Sequence, residues 1–423
     1  MRDQLHLLKT KRFLPLFLTQ FLGAFNDNVF KNALVILITY ATAAELGLDP
    51  RILVTAAAGI FILPFFLFSA VAGQLADSFE KSVLIRRLKC VEILLMMLAA
   101  AGFYLQEIYY LLGVLFLMGV QSSFFGPLKY GILPDHLQRD ELVAGNALVE
   151  ASTFVAILVG TIIGGYFILK DGGLFIITSF VIFVACLGLF ASLFIPKAER
   201  KRKRTTINWN IFSASWHILK YAKEHKDLFT AVLGISWFWL VGFVFLAQLP
   251  VFGKNVLGVD ENVVTLFLTC FSVGVGIGSL FCNSLLKGAV RMHLAPYGAF
   301  GMAFFTFIMC ALSPDALDHQ TFIGISEYLS SYTGGMVLAA MVMIAACGGI
   351  YVVPLYAVLQ DRSTDGFQSR MIAANNIMNA LFMVLASIAT LVLLKVVPDI
   401  TDIFMMLGSA NILVAFLFWR RHR

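Results

Sequence analysis

Charged residues are scarce in this 423-residue chain, where Asp, Glu, Lys and Arg together make up 13% of the sequence and apolar residues make up 60%. A soluble protein of ordinary composition carries roughly a quarter charged residues. A mean hydropathy of +0.86 leaves too little polar surface to cover a water-exposed particle of this size. The composition therefore predicts an integral membrane protein, and it excludes soluble enzymes, nucleic-acid-binding proteins and disordered scaffolds.

Sequence signatures of enzymes are also missing. The chain has no GxxxxGK[ST] phosphate loop, no HExxH and no GxSxG, and its six cysteines show no CxxC spacing. None of the seven histidines lies in a motif suited to a membrane-embedded acyltransferase. We therefore expect no catalytic residue, no metal site and no cofactor. The glycines at 274, 276 and 278 follow no predicted strand, so we interpret them as a helix-packing surface.

Twelve long apolar runs dominate what is present. An apolar run of about 20 residues spans a bilayer, and in lipid it must be helical because the backbone has to satisfy its own hydrogen bonds. The predicted fold class is therefore all-α integral membrane, with twelve transmembrane helices. The runs cover residues 13–44, 52–76, 83–104, 108–133, 143–169, 174–195, 229–254, 262–286, 292–312, 335–358, 371–396 and 400–419.

Lysine and arginine are distributed unevenly over the predicted loops. Most of the 31 lie in the N-terminal arm, the C-terminal tail and the five loops on the same side. The opposite loops hold only Arg51, Lys170, Lys254 and Lys395. The positive-inside rule therefore predicts that both termini are cytoplasmic.

A basic stretch at residues 197–228 divides the chain. It opens with a cluster of cations between Lys197 and Arg204 and continues as apolar residues among polar ones. This pattern predicts a cytoplasmic amphipathic linker that lies on the inner leaflet, with its basic residues facing anionic headgroups. The linker separates two predicted six-helix halves, residues 1–196 and 229–423.

The two halves share short motifs at corresponding positions. Gly-Pro-Leu at 126–128 and Ala-Gly-Asn at 144–146 are matched by Val-Pro-Leu at 353–355 and Ala-Ala-Asn at 373–375. Repeats with the same sense of insertion are typical of transporters that enclose a cavity near the middle of the membrane. The repeats therefore favour a transport function.

Charged residues inside the predicted spans are the main functional signal. A charge at the centre of a bilayer costs at least about 2.5 kcal/mol and persists where it is paired or lines a wet cavity. Asp27 and Lys31 are one helical turn apart on one face, beside Asn28. They form either a mutually satisfied pair or a site for a substrate or coupling ion. Lys129 and Glu150, near the inner ends of their spans, form a gate, a packing salt bridge or a headgroup contact.

A further charged residue lies well inside a predicted span of the first half, and the second half contains none that is comparable. Glu92 in the third span has no evident partner, and we interpret it as a helix-packing residue. The spans of the second half carry no comparable charge and are rich in phenylalanine. A cavity with balanced charge on one side and an apolar wall on the other suits an amphiphile with a small polar head and a long tail.

One inner loop resembles the first signature of the major facilitator superfamily. It runs from Gly73 through Asp77 to Lys81, although Glu80 stands where glycine is usual and Lys81 where arginine is usual. The resemblance implies the major facilitator fold. It also implies that Asp77 caps or clamps neighbouring helix ends, that Lys81 binds Asp77 or the next span, and that these residues hold the outward-facing state.

Four further motifs carry a more specific resemblance. They are QFLGAFNDN at 20–28, KYGIL at 129–133, NALVEAST at 146–153 and GGIYVVPL at 348–355. Together they resemble the bacterial lysophospholipid transporter family of this superfamily. They also resemble the transporter half of proteins fused to a glycerophospholipid acyltransferase.

The resemblance implies a flippase that moves lysophospholipid, chiefly lysophosphatidylethanolamine, by alternating access. It implies movement from the outer to the inner leaflet of the bacterial inner membrane, where a separate acyltransferase re-acylates the lipid. The ammonium group of the substrate would contact Asp27, and its phosphate would contact Lys31 or Lys129. Family members commonly carry an arginine in the seventh span, whereas Phe245 to Gln248 offers no cation here. Either a lysine takes that role or the substrate differs.

Two other hypotheses remain open at this point. The first is a proton-coupled drug or small-solute transporter of the major facilitator superfamily, in which Asp27 and Glu150 would be the titrating groups. The second is a non-transporting scaffold for a separate acyltransferase. Transport assays on purified protein, with and without ion gradients, distinguish these hypotheses from lysophospholipid flipping.

Overall fold

The computed structural model describes residues 2–38, 50–198, 207–314, 322–397 and 399–422. Twelve long helices, numbered here in chain order, make up most of this part. They are α1 (Leu14–Leu37), α2 (Pro50–Ser78), α3 (Lys81–Leu105), α4 (Ile108–Gly131), α5 (Leu142–Phe167), α6 (Gly173–Leu193), α7 (Lys226–Asn255), α8 (Glu261–Leu286), α9 (Ala295–Leu312), α10 (Tyr332–Asp361), α11 (Gln368–Leu393) and α12 (Ile400–His422).

The prediction of an all-α membrane protein is confirmed. Among the described residues, eleven helices, α2 to α12, are long and apolar enough to cross a membrane. Helix α1 has 24 residues but is more polar in its middle, where Asp27 and Lys31 lie among asparagines. The predicted and observed ends of the helices agree closely. In lipid an apolar run is stable only as a helix, because the backbone must satisfy its own hydrogen bonds. The end of the first predicted span, residues 39–44, lies outside the described residues.

Both ends of the chain lie at the same end of the bundle. The Gln4 side chain donates a hydrogen bond to the Leu280 carbonyl oxygen near the end of α8, at 3.1 Å. Near the C-terminus, the ring of Trp419 lies 6.1 Å from the ring of Tyr297 at the start of α9. We call this the inner end; it comprises residues 2–13, the loops at 79–80, 132–141, 287–294 and 362–367, and the described part of the linker.

Glycines allow several helices to pack in direct backbone contact. A Cβ on Gly278 of α8 would collide with the carbonyl oxygen of Ala346 on α10, and Gly274 faces Val342 in the same way. The prediction that the glycines at 274–278 form a packing surface is therefore confirmed. In the first half, Gly164 of α5 similarly lies against the backbone of α1.

The matched Gly-Pro-Leu and Val-Pro-Leu motifs lie at equivalent places in the two halves. Pro127 lies inside α4 and Pro354 inside α10, the fourth helix of each half. The rings of Tyr130 and Tyr356, which follow these prolines, stack with centroids 4.6 Å apart and planes 4° apart. The repeat therefore brings the two halves into contact near the inner end. The division at residues 196 and 229 stays a prediction.

The described part of the linker contains the predicted surface helix. This linker helix, Ile211–Glu224, begins at Asn210, whose side chain accepts a hydrogen bond from the Ser213 N–H. One face is buried against the bundle through Ala214 and other small or apolar residues. The predicted cluster from Arg200 to Arg204 lies outside the described residues. Two aromatic residues of the helix are exposed, Phe212 by 73% and Trp216 by 70%, and so is Trp209 just before the helix, by 68%.

Glu80, the residue that departs from the superfamily signature, caps α3. Its carboxylate accepts hydrogen bonds from the backbone N–H groups of Ser82 and Val83, at 3.0 and 2.9 Å. It also accepts one from the N–H of Ala198, just beyond α6, at 3.0 Å. Burial alone would raise the pKa of Glu80, but these hydrogen bonds bring the pKa below its ordinary value. The carboxylate thus joins two chain segments that a glycine could not join.

We expect Glu80→Ala to lower the free energy of unfolding by about 1 kcal/mol at neutral pH, as for other lost helix caps. Because the pKa of Glu80 is lower in the folded state, its contribution is present above the unfolded pKa and lost as pH falls through the folded value. The difference in melting temperature between wild type and variant should therefore shrink at about pH 3. Glu107→Ala is the matched control, since Glu107 precedes α4 without capping it; an equal loss there would contradict the prediction.

Candidate functional site

Asp27 lies midway along α1 and is half-buried. Its Oδ2 accepts a hydrogen bond from the Ser122 hydroxyl of α4 at 2.7 Å. Lys31 lies one turn further along α1, but among the described residues no salt bridge joins it to Asp27. Its Nζ donates instead to Oδ1 of Asn28 at 3.0 Å and lies 5.7 Å from the centre of the Phe61 ring on α2. The alternative of a mutually satisfied Asp27–Lys31 pair is therefore wrong.

Asn28 orients Lys31. Its amide nitrogen donates to the Ala24 carbonyl oxygen at 2.7 Å, which leaves Oδ1 directed at the lysine. The side chain of Asn28 is buried, and it lies at the place where Gly160 of α5 packs closely on α1. Helix packing therefore holds Asn28, while Asp27 and Lys31 beside it are only half-buried.

Lys129 and Glu150 both contact Tyr130. The Tyr130 hydroxyl donates a hydrogen bond to Oε1 of Glu150, which is fully buried on α5. Lys129 is half-buried, and its Nζ lies 4.7 Å from the centre of the Tyr130 ring. Among the described residues no salt bridge joins Lys129 to Glu150, so the packing salt bridge is wrong. Lys129 nevertheless lies within electrostatic range of both Glu150 and Asp27.

Tyr130 also belongs to a layer of aromatic side chains that joins the two halves. We define this aromatic layer as Tyr130, Phe154, Trp239 and Tyr356. Beyond the stack of the two tyrosines, the indole N–H of Trp239 on α7 donates to the Tyr356 hydroxyl at 3.1 Å. The rings of Phe154 on α5 and Trp239 stack with centroids 6.1 Å apart. Helices α4 and α5 are thereby connected to α7 and α10.

Asp77 attaches α2 to the start of α11. Its two carboxylate oxygens accept hydrogen bonds from the backbone N–H groups of Ser369 and Arg370, at 3.0 and 3.1 Å. A carboxylate in this position satisfies free N–H groups of the helix and interacts favourably with the helix dipole. One turn away, Gly73 lies so close to α11 that a Cβ would collide with Ala373. Asp77 thus lies where the resemblance implies, at a neighbouring helix end.

Lys81 takes a different partner from the one expected first. Its Nζ donates to Oδ2 of Asp135 at 2.7 Å, and no salt bridge to Asp77 is formed among the described residues. Asp135 belongs to the short helix Leu133–His136 between α4 and α5. Of the two expected partners, Asp77 or the next span, the salt bridge to Asp77 is therefore wrong. Lys81 instead connects the start of α3 with the segment that follows α4, inside the first half.

Two further contacts join the halves at the inner end. Arg139 donates through Nε and Nη2 to the two carboxylate oxygens of Asp361, at 2.6 and 2.8 Å. Asn146 on α5 and Gln360 on α10 exchange side-chain hydrogen bonds of 2.7 and 3.0 Å. Together with Asp77, these contacts hold the inner ends of the two halves together. Arg139 and Gln360 carry no distinctive motif, which is why the sequence did not identify them.

Asp27 lies further from the inner end than this closed region. At 1.5 Å per residue, Glu150 is about 12 Å along α5 from Leu142, whereas Asp27 is about 20 Å along α1 from Leu14. Both helices start at the inner end. Asp27 and Lys31 therefore lie further from the inner end than Glu150, and they face α4 and α2.

A buried ion pair on α3, close to Asp27, was not identified from the sequence. Lys89 donates to Oε2 of Glu92 at 2.7 Å, and Gln121 donates to the same oxygen at 3.2 Å. Ser122, the hydrogen-bond donor to Asp27, follows Gln121 directly. Glu92 thus has a partner, contrary to the sequence interpretation. The i, i+3 spacing of Lys89 and Glu92 on one helix is the signal that could have identified the pair.

Known proteins share this arrangement of helices. The model of the Major Facilitator Superfamily matches residues 16–387. The chain belongs to the major facilitator superfamily. The expected fold of this superfamily and its many membrane-spanning helices are thereby confirmed, and the superfamily resemblance of the loop at 73–81 is explained.

Relatives and solved structures of the superfamily agree with this assignment. The chain is similar to the lysophospholipid transporter LplT of Escherichia fergusonii, at 27% identity over 432 residues and 98% of each chain. LplT of Escherichia coli O1:K1 is 28% identical over 430 residues, again covering 98% of each chain. These relatives are named as transporters and not as enzymes. The predicted family resemblance is confirmed.

Solved structures support the fold alone. The human organic anion transporter MFSD10 superimposes with a TM-score of 0.72 at 14% identity, covering 95% of this chain and 98% of that one. The transporter FucP in its outward conformation gives a TM-score of 0.71 at 13% identity, covering 97% and 98%. The chain therefore shares its fold with both transporters.

Proposed function

We propose that this protein is a lysophospholipid flippase. It moves lysophosphatidylethanolamine-like lipids from the outer to the inner leaflet of a bacterial inner membrane, where a separate acyltransferase re-acylates them. The observation that carries the proposal is the pair of half-buried, separately held charges of Asp27 and Lys31 on the outer side of a closed inner end. The relatives named lysophospholipid transporters, similar over nearly the whole chain, support the substrate class.

The site matches the charges of a zwitterionic headgroup. The carboxylate of Asp27 binds the ammonium group, and Lys31 binds the phosphate through a charge-assisted hydrogen bond. Lys129 and Glu150 lie deeper and receive the headgroup as it moves inwards, while Asn28 holds Lys31 in place. The stretch of α7 from Phe245 to Gln248 contributes no cation, and Gln248 there is a half-buried amide. The phosphate contacts therefore fall to the lysines of the first half.

Transport proceeds by alternating access between residues 1–196 and 229–423, with 197–228 as the connecting linker. In the state described here the inner end is closed by Asp77, by the contacts of Arg139 and Asn146, and by the aromatic layer. Gly73 permits the close approach of α2 and α11, and Lys81 stiffens the inner end of the first half. Opening requires these contacts to break, so a bound headgroup must offset their loss. Both termini face the cytoplasm.

A flipping assay with purified protein tests the proposal. Proteoliposomes are given labelled lysophosphatidylethanolamine in the outer leaflet, and albumin then extracts the lipid that has not been flipped. We expect a protected fraction that grows with time, well above that of protein-free liposomes. If the protein instead transported small solutes only under a proton gradient and did not flip the lysolipid, it would be a proton-coupled carrier. No transport by the purified protein would favour a scaffold for an acyltransferase.

A further inference from the structure

An apolar groove lies between the linker helix and the bundle. Its volume is about 280 Å³. The linker helix forms one wall, and α2 and α11, which belong to different halves, form the other. The principal lining side chains are Phe66, Leu67, Phe212, Trp216, Leu219 and Ile377.

The groove extends to the depth of the acyl chains. Phe66 is about 16 Å along α2 from Asp77, and Ile377 is about 14 Å along α11 from Gln368. Both distances start at the inner end and reach well into a hydrocarbon core about 30 Å thick. Next to the groove, α2 exposes Leu63 and Phe66 to the surrounding lipid. A groove with these walls at this depth is accessible to lipid chains and to no soluble partner.

Cations lie beside the groove on the linker helix. Lys223 follows the groove residue Leu219 by four positions, so the two lie on the same helical face. Lys220 and Lys223 are both exposed, and in the part of the chain that the structure describes neither forms a salt bridge. The exposed indoles of Trp209 and Trp216 accompany them, and tryptophan favours the boundary between headgroups and chains. The helix thus has an apolar groove on the side of the acyl chains and positive charge at the level of the headgroups.

We infer that this groove binds an anionic phospholipid of the leaflet at the inner end, with one acyl chain in the groove and its phosphate at Lys220 and Lys223. This lipid is distinct from the transported substrate, since its site lies on the outside of the bundle. It contacts α2 of the first half, α11 of the second half and the linker at once. The bound lipid therefore holds the linker helix against the seam between the halves.

Quenching of Trp216 by brominated lipids tests this inference. The full-length protein is reconstituted in phosphatidylcholine vesicles that contain equal fractions of chain-brominated phosphatidylglycerol or chain-brominated phosphatidylcholine. Subtracting the emission of Trp216→Phe from that of wild type isolates Trp216. We expect stronger quenching by the phosphatidylglycerol, with a local enrichment of roughly fivefold per lysine. Equal quenching by both lipids would overturn the inference.

Two sets of variants separate the headgroup contact from the groove. Lys220→Gln with Lys223→Gln should abolish the preference for phosphatidylglycerol. The matched control, Lys9→Gln with Lys287→Gln, removes two exposed lysines elsewhere at the inner end and should keep the preference. A preference that survives loss of the linker lysines would also overturn the inference.

Filling the groove provides an independent test. Ser215 lines the groove on the half-exposed surface of the linker helix. Ser215→Phe should occupy the space of the chain and reduce the quenching of Trp216 by both brominated lipids. Undiminished quenching would show that the lipid contacts only the outer surface of the helix, and the groove would then be excluded as the site.

Discussion

Asp27→Asn is expected to reduce lysophosphatidylethanolamine flipping about 10- to 100-fold. The substitution preserves shape and can still accept the Ser122 hydrogen bond, so the fold should be retained. What is lost is the charge that binds the ammonium group, and a hydrogen bond to a charged group contributes about 1.5–3 kcal/mol, which corresponds to this factor. Initial flipping rates in proteoliposomes, normalised to the amount of reconstituted protein, measure the effect.

Two other variants make the Asp27 result specific. Asp171→Asn removes an exposed aspartate from the loop between α5 and α6 and should leave the rate unchanged. Ser122→Ala keeps the charge of Asp27 but removes its hydrogen-bond donor, and we expect an intermediate loss of activity. Wild-type rates in Asp27→Asn would remove Asp27 from the binding site and leave the proposed mechanism without its central contact.

Lys89→Met should destabilise the protein by about 3–5 kcal/mol, because it leaves the carboxylate of Glu92 buried without its ion-pair partner. Both side chains lie inside the first half, between α3 and its neighbours, and both are almost completely shielded from solvent. A Cβ on Gly23 of α1 would collide with Lys89 Nζ, so the site is closely packed around the ammonium group. The predicted readouts are lower yield of folded protein and a lower melting temperature in detergent.

The double variant Lys89→Met with Glu92→Gln distinguishes charge from packing. It removes both charges, while the new amide oxygen can still accept the hydrogen bond from Gln121, so most of the lost stability should return. Arg87→Met is the control on the same helix, since Arg87 is exposed; its melting temperature should stay close to wild type. If Lys89→Met were as stable as Arg87→Met, the ion pair would contribute nothing to the fold.

Much of the fold could be predicted from the sequence. The twelve long helices were located from apolar runs, and those of their ends that lie among the described residues differ from the predicted ends by a few residues. The packing role of the glycines at 274–278 and the surface helix of the linker were predicted from local patterns as well. Each of these features depends on residues near one another in the chain, so local composition carries the information.

The partners of the charged residues were harder to predict. Asp27 was identified as a candidate, but its hydrogen-bond donor is Ser122 on another helix. A salt bridge to Lys129 was one of the alternatives for Glu150, yet the hydrogen-bond donor to Glu150 is Tyr130, the residue next to Lys129. Lys81 binds Asp135 and not Asp77. In each case the partner of the charged side chain depends on how one helix is rotated against another. The spacing of residues along a single helix does not specify that rotation.

The sequence by itself determined that the chain is a membrane protein, where its long apolar helices lie, and which charged residues fall within them. These properties follow from the free energy of transferring each segment into hydrocarbon, which depends on composition alone. Only the tertiary structure decided that the inner end is closed, that Asp27 and Lys31 are held apart, and that a groove separates the linker helix from α2 and α11. Those features arise from the packing of helices distant in the chain, where a shift of one turn changes every neighbour of a side chain.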